Sequence, residues 1–371
     1  MKIMIGCLQI ACVSNNDTEE DKMEYKIIPD QMTPKERMTA FANGEAIDRV
    51  PCCPFLGESF APYFGHSIAK FNHNIDVIVD TAVRSFETFR SDSISIGPGL
   101  HGMPEAMGSV LRFPEFNTPA VIKPALGDYS DIGKLKLIDP MKDGRLNYYI
   151  EALKIVMDKI GHEANIGNTV GGPLTTAAFL IGTEKLMKDM NKRPDQVHKV
   201  LEIATENTIR FMDAIMDLGL TPGIAEPIGS STMISPKKFR EFAKPYITQC
   251  EDHIKKRTGA GGSIHICGKT KRIWGDMVDT GITALSLDNC EDIGDLKDQF
   301  GHKVAVVGNV DPVKVIMNGT REEIYDSVRE CIRKAKDCPE GFILASGCDI
   351  PIGTDVEKIQ MFMDAARIFG R

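Results

Sequence analysis

An alternation of short, β-branched apolar runs with helical segments constrains the fold of this chain more than any other feature. Eight such runs are strand candidates, and they cover residues 50–55, 93–96, 164–168, 222–226, 263–267, 284–288, 304–309 and 342–346. Strands that alternate with helices form parallel sheets, because each helix returns the chain to the same edge. Eight units in one unbroken series favour a closed (β/α)8 barrel, a TIM barrel, over an open doubly wound sheet.

Helix signals lie between the strand candidates. Capping boxes, in which a Thr precedes a Glu by three residues, occur at 33–36, 320–323 and 354–357. Apolar residues spaced three or four apart from Val197 to Ile215 predict one face of a long helix. Residues 97–163 are too long for one crossover, so we expect extra helices after the second strand, one of them over residues 144–161.

The domain organisation follows from the same series. A length of 371 residues fits one large domain or two ordinary ones. The unbroken alternation predicts a single barrel domain over residues 32–371, preceded by an extension over residues 1–31. Residues 3–13 are apolar, but Gln9 interrupts them and no small-residue cleavage site follows. We therefore expect an extension or a strand there, not a signal peptide or a membrane span.

Charge and cysteine content exclude several classes of protein. The net charge of −8 and the pI near 5.6 argue against a nucleic-acid-binding surface. Ten cysteines occur without a short repeated spacing, which indicates free thiols in a reducing, cytoplasmic compartment. No glycine-rich dinucleotide fingerprint follows a strand candidate, which counts against a nicotinamide enzyme.

Three candidate metal ligands lie where a barrel has its active site, at the carboxyl ends of the strands. His265 and Cys267 end the fifth strand candidate and point the same way, because side chains alternate along a strand. Cys348 follows the eighth candidate, so it must lean across the mouth to join them. One imidazole and two thiolates are zinc ligands, and a vacant fourth position is typical of catalytic zinc. The alternative is that the thiols pack as buried apolar groups.

Other polar residues close neighbouring strand candidates. Glu226 ends the fourth candidate and is either a further ligand, a partner that orients His265, or a loop carboxylate. Asp288 and Asn309 end the sixth and seventh candidates, where they either line the site or cap the following helices. Asp349 is expected to orient the loop that carries the last cysteine.

Several stretches resemble the uroporphyrinogen decarboxylase superfamily. They lie at residues 32–37, 48–51, 172–175, 234–246 and 308–312, and the resemblance extends from about residue 32 to the carboxyl end. These stretches imply the barrel fold, but they do not separate the activities within the superfamily.

Two positions indicate the branch. Decarboxylases carry an arginine-rich Met-Arg-Gln-Ala-Gly-Arg-Tyr stretch after the first strand, whereas residues 51–58 here contain no arginine. Decarboxylases also carry Gly-His-Gly after the last strand, where residues 346–349 are Ser-Gly-Cys-Asp. The chain instead resembles the corrinoid-dependent methyltransferase branch, which includes the methylcobamide:coenzyme M methyltransferases. That branch binds zinc through His-x-Cys and a distant Cys, matched here by His265, Cys267 and Cys348.

The resemblance implies methyl transfer between a corrinoid cobalt and a small nucleophile, such as the thiol of coenzyme M. Zinc would be the cofactor, and the methylcorrinoid a co-substrate that a separate corrinoid protein presents, since the chain lacks an Asp-x-His-x-x-Gly motif. Glu226, Asp288, Asn309 and Asp349 would then line the pocket for substrate and corrinoid. Three alternatives stay open: transfer from an ether, amine or alcohol to the corrinoid, a metal-independent decarboxylase, and a barrel that is non-catalytic or has a structural metal.

Overall fold

The computed structural model of the protein describes residues 25–371, and a curled, seven-stranded parallel sheet forms its centre. Numbered with all strands in chain order, its members in spatial order are β1 (Ser93–Ser95), β4 (Asn165–Gly171), β5 (Pro222–Ala225), β6 (Ser263–Ile266), β7 (Ala284–Leu287), β8 (Ala305–Val310) and β9 (Phe342–Ser346). Each coincides with a predicted strand to within three residues at either end. Most of the predicted extension, residues 1–24, lies outside the described residues.

Helices follow the strands and cover the outside of the sheet. They are α1 (Pro34–Ala42), α2 (Ile68–Phe71), α3 (Ile75–Phe89), α4 (Gly102–Ala106), α5 (Leu146–Ile160), α6 (Pro173–Ile181), α7 (Thr183–Lys192), α8 (Pro194–Met216), α9 (Pro236–Phe242), α10 (Lys244–Thr258), α11 (Trp274–Val278), α12 (Ile293–Phe300), α13 (Arg321–Ala335) and α14 (Val356–Phe369). The capping boxes predicted at Thr33 and Thr320 are present. The box predicted at residues 354–357 is wrong, because α14 begins after Asp355 and the Thr354 hydroxyl donates to the carbonyl of Pro351 instead. Within residues 25–371, no helix combines the length and hydropathy needed to cross a bilayer.

The segment around Cys52 closes the sheet into a barrel. The amide of Leu344 in β9 donates to the carbonyl of Pro51 at 2.9 Å, and the amide of Asp92 beside β1 donates to the carbonyl of Cys52 at 2.9 Å. The predicted first strand, residues 50–55, is nevertheless only a single bridge between Cys52 and Leu344. Pro51 and Pro54 have no N–H to donate, which prevents a longer ladder. The (β/α)8 fold is confirmed, with this short segment in the position of its first strand.

A buried ion cluster holds the closing segment in place. Arg37, Arg49 and Asp92 are at most 1% exposed. Asp92 accepts hydrogen bonds from both guanidinium groups and from the amide of Cys52, the last at 2.6 Å. Asp30 binds Arg49 at 2.8 Å, which attaches the described part of the predicted extension to the barrel. Buried charges persist only when they are paired and hydrogen-bonded in this way.

The predicted insertion after the second strand is confirmed, and it contains more than helices. The helix expected over residues 144–161 is α5, and α4 precedes it. Between them lies an antiparallel hairpin that the sequence did not predict, formed by β2 (Val110–Arg112) and β3 (Ala120–Lys123). Strands of three and four residues give too short an alternation to identify from sequence.

Candidate metal centre

Three side chains converge at the carboxyl ends of the strands. The Nε2 atom of His265 lies 3.2 Å from the sulfur of Cys267, which lies 3.6 Å from the sulfur of Cys348. All three ligand atoms are within 4.8 Å of one another, and no other such group of three occurs in the described part of the chain. Neighbouring ligand atoms around a tetrahedral zinc are about 3.3–3.8 Å apart, as its bond lengths require. The donor set and its spacing therefore fit a zinc ion.

Strand geometry explains why His265 faces this cluster. Its neighbours Ile264 and Ile266 are at most 1% exposed and pack on the opposite side of β6. Phe55, from the closing segment, places its ring edge-on to the imidazole at a centroid distance of 5.9 Å. The amide of Phe55 donates to the hydroxyl of Ser346 at 3.1 Å, so the closing segment and β9 are fixed beside the same histidine.

The two cysteine sulfurs are hydrogen-bonded to each other, and this contact shifts their pKa values in opposite directions. The pKa of Cys348 falls, because of its hydrogen bonds to Cys267 and to His265. The pKa of Cys267 rises, because of the same sulfur–sulfur hydrogen bond and because the group is buried. A thiolate is the form of cysteine that binds metals. The electrostatics of the cluster therefore favour a cation at its centre.

The carboxylate of Glu226 does not join the cluster. It is fully buried and accepts hydrogen bonds from the amides of Leu174 and Thr175 at 2.9 and 2.7 Å, and from the Thr175 hydroxyl. Burial raises its pKa to about 7 in spite of these donors. Glu226 thus satisfies free amides in the first turn of α6. Its backbone amide donates to the His265 carbonyl at 2.9 Å.

Asp288 and Asn309 hold the loops around the cluster. Asp288 accepts from the amides of Gly268 and Cys290 at 2.7 and 2.9 Å. Asn309 donates to the carbonyls of Asp288 and Glu291 at 3.0 and 2.8 Å. Both side chains therefore bind the backbone around the mouth, and their expected contact with substrate stays a prediction.

Asp349 and an acid that the sequence reasoning missed lie at the mouth. Asp349 is exposed at the rim of the mouth, and the surrounding protein together with the adjacent Cys348 sulfur raises its pKa to about 6. Burial also raises the pKa of Glu58, and Asp349 contributes to that rise. Glu58 accepts a hydrogen bond from Asn72 at 2.7 Å. The sequence could have indicated Glu58 as a site residue, because it lies in the segment that carries arginines in the decarboxylases.

The fold and the cluster together define a (β/α)8 barrel with a candidate metal centre at its catalytic end. The family model described as uroporphyrinogen decarboxylase (URO-D) matches residues 33–369. The chain therefore belongs to the uroporphyrinogen decarboxylase family.

Similar proteins carry names of two activities. The chain is 26% identical over 342 residues to the methylcobamide:CoM methyltransferase MtaA of Methanosarcina barkeri, covering 90% of this chain and 98% of the relative. It is 24% identical over 309 residues to the chloroplastic uroporphyrinogen decarboxylase 2 of Oryza sativa subsp. japonica, and the match covers 81% of this chain and 77% of that relative. A solved methyltransferase from Methanosarcina mazei superimposes with a TM-score of 0.81 at 26% identity, and the match covers 91% of this chain and 98% of that structure. The predicted resemblance to the methyltransferase branch is confirmed.

Proposed function

We propose that this protein is a zinc-dependent methyltransferase. It moves a methyl group between the cobalt of a corrinoid, carried by a partner protein, and a small nucleophile, with a thiol such as coenzyme M as the first candidate. The convergence of the His265 nitrogen and the sulfurs of Cys267 and Cys348 carries this proposal. The methyltransferase names of similar proteins of nearly equal length support it.

His265, Cys267 and Cys348 would hold the zinc ion and leave its fourth position to the substrate. When bound there, zinc would make a thiol substrate acidic enough to be a thiolate at neutral pH. The two cysteines would concentrate negative charge on the ion, and Phe55 packs its ring edge-on to the imidazole. The three ligands would thereby set the position at which a substrate sulfur binds.

The proposed methyl transfer is a displacement at the methyl carbon. The thiol releases its proton, a sulfur lone pair forms the new S–C bond, and the C–Co bond breaks with its electron pair left on cobalt. The reacting atoms must lie about 3–3.5 Å apart and in line. This chain has no cobalamin motif of its own, so a corrinoid protein would bring the methylated ring to the mouth.

A second candidate is transfer in the opposite direction, from an amine, ether or alcohol to the corrinoid. The acidic lining formed by Glu58 and Asp349 favours it, because these substrates carry no anionic group toward the carboxylates. A decarboxylase is disfavoured, because residues 51–58 offer no arginine to pair with substrate carboxylates.

Metal analysis tests the proposal directly. We expect about one zinc per purified chain, and its loss in the His265→Ala and Cys348→Ala variants. Cys338→Ala, which removes a buried thiol on another part of the barrel, is the matched control and should retain the metal. Full zinc in both ligand variants would refute the metal centre.

Activity then separates the two directions of transfer. Methylation of coenzyme M by methylcobalamin supports the first candidate, and donor-dependent methylation of a corrinoid supports the second.

A further inference from the structure

One short stretch contacts the surroundings of all three candidate ligands. Residues 286–289 comprise the last two residues of β7 and the two that follow. Ser286 contacts the His265 ring, Asp288 binds the amide that follows Cys267, and Asn289 lies against the glycine that precedes Cys348. We refer to this stretch as the β7 template.

We propose that the β7 template assembles the three ligands, and that Ser286 is the positioning residue that makes Nε2 of His265 the metal-binding nitrogen. This inference rests on the proposed zinc site, and it assigns the site's geometry to residues that do not themselves bind the metal.

Strand register places Ser286 beside His265. His265 in β6 pairs with Ser286 in the neighbouring β7, so their side chains lie side by side on one face of the sheet. The hydroxyl oxygen of Ser286 is 3.0 Å from Nδ1 of His265, and the serine is only 7% exposed. A neutral imidazole has one N–H and one free lone pair. With Ser286 accepting the Nδ1 proton, the lone pair is left on Nε2, the nitrogen beside Cys267.

The route of Cys348 across the mouth also depends on the template. β7 and β8 separate β6 from β9, so the loop after β9 must pass over the end of β7. It does so at Gly347, where an added Cβ would lie 2.5 Å from the backbone nitrogen of Asn289 and 2.7 Å from its Cβ. Asn289 is itself held, because its side chain donates to Asp311 at 3.0 Å. Only a glycine lets the loop pass this close to Asn289, and the close passage places Cys348 above the other two ligands.

Cys267 is fixed from the same stretch. The chain turns at Gly268, which has a φ of +80°, a conformation that favours glycine. The carboxylate of Asp288 binds the Gly268 amide at 2.7 Å and the amide of Cys290 at 2.9 Å. The template therefore sets the end of the strand that carries both His265 and Cys267.

Zinc affinity, measured by competition with a chromophoric chelator, tests the role of Ser286. We expect Ser286→Ala to weaken zinc binding about 10- to 100-fold, the usual effect of losing a hydrogen bond to a ligating histidine. Ser286→Thr keeps the hydroxyl and should stay close to wild type. Ser91→Ala is the matched control, since Ser91 is a buried serine with one hydrogen bond at the opposite end of the barrel.

Cobalt substitution tests the route of Cys348. Thiolate-to-cobalt charge-transfer absorption reports the number of cysteine ligands, so Ser286→Ala should keep the wild-type intensity. Gly347→Ala should lose about half of it, because one of two thiolates is displaced. Gly133→Ala is the matched control, because a Cβ there meets open space.

The outcomes separate this inference from the proposed function. A wild-type protein that binds no zinc refutes the proposed function. Wild-type zinc affinity in Ser286→Ala, or equal losses in Ser286→Ala and Ser286→Thr, overturns the inference and leaves the metal site intact. Full charge-transfer intensity in Gly347→Ala overturns the role of the template in placing Cys348.

Discussion

The buried carboxyl group of Glu251 in α10 should make the free energy of unfolding depend on pH, and Glu251→Gln should remove that contribution. The side chain is 1% exposed, and one of its oxygens has no hydrogen-bond partner among the described residues. The other accepts from the amide of Gly262 at 2.6 Å. Burial raises the pKa of Glu251 from its ordinary 4.5 to about 7. The folded state therefore binds this proton more tightly than the unfolded state does.

The magnitude follows from that rise in pKa. A pKa raised from 4.5 to about 7 corresponds to about 3 kcal/mol of stability. This contribution is complete below pH 4.5 and is lost as the pH rises through about 7. Between about pH 5 and about pH 8, the free energy of unfolding of Glu251→Gln should therefore gain about 2–3 kcal/mol relative to wild type.

Urea unfolding, followed by far-ultraviolet circular dichroism at several pH values, measures this difference. Glu206→Gln, on the exposed face of α8, is the matched control for replacing a glutamate by glutamine. If the free-energy difference between Glu251→Gln and wild type does not change with pH, the carboxyl group is not protonated in the folded protein and the reasoning fails.

Three further predictions concern the fold and the metal. Asp92→Asn should lower the free energy of unfolding by about 3–5 kcal/mol, because two buried arginines lose their common partner. Urea unfolding measures this loss, and Asp298→Asn, which changes an exposed aspartate, is the control and should have little effect. Gly172→Ala should be clearly destabilising, because a Cβ there meets the buried Glu226 carboxylate, and a wild-type melting temperature would contradict it. Removing zinc with a chelator should lower the melting temperature of the wild type, because free zinc at about 100 times its Kd adds about 2.7 kcal/mol to the free energy of unfolding. The melting temperature of Cys348→Ala should not change, because this variant lacks one of the zinc ligands.

Strand patterns predicted seven of the eight barrel positions, because β-branched runs between helix signals are long enough to identify. The prediction of a six-residue first strand was wrong, because Pro51 and Pro54 interrupt the hydrogen-bond ladder and leave a single bridge. The alternation of side chains also predicted that His265 and Cys267 share one face. It does not determine where a side chain turns after a strand ends, which is why Glu226 was expected near the cluster although its carboxylate caps α6.

The partner of His265 was missed for a different reason. Ser286 lies two positions before Asp288, so the alternation places both on the face that the sequence reasoning assigned to the site. A serine in a strand is common, and only the register between β6 and β7 sets this one beside the imidazole. Register depends on how neighbouring strands pair, and a single sequence contains no direct record of that pairing.

The barrel alone does not separate the two activities named among the relatives, so the residues at the strand ends must do so. A substrate with several carboxylates would bring its charge toward Glu58, Asp349 and the sulfur of Cys348, whose pKa is lowered. Two like charges about 6 Å apart repel by at most roughly 3 kcal/mol at an effective dielectric constant of about 20, and by less where solvent screens them, as at the exposed Asp349. Each unpaired carboxylate would add a repulsion of this kind, and residues 51–58 supply no arginine to offset it. The same negative lining attracts a metal cation, so it disfavours decarboxylation of a polyanion and favours metal-assisted transfer.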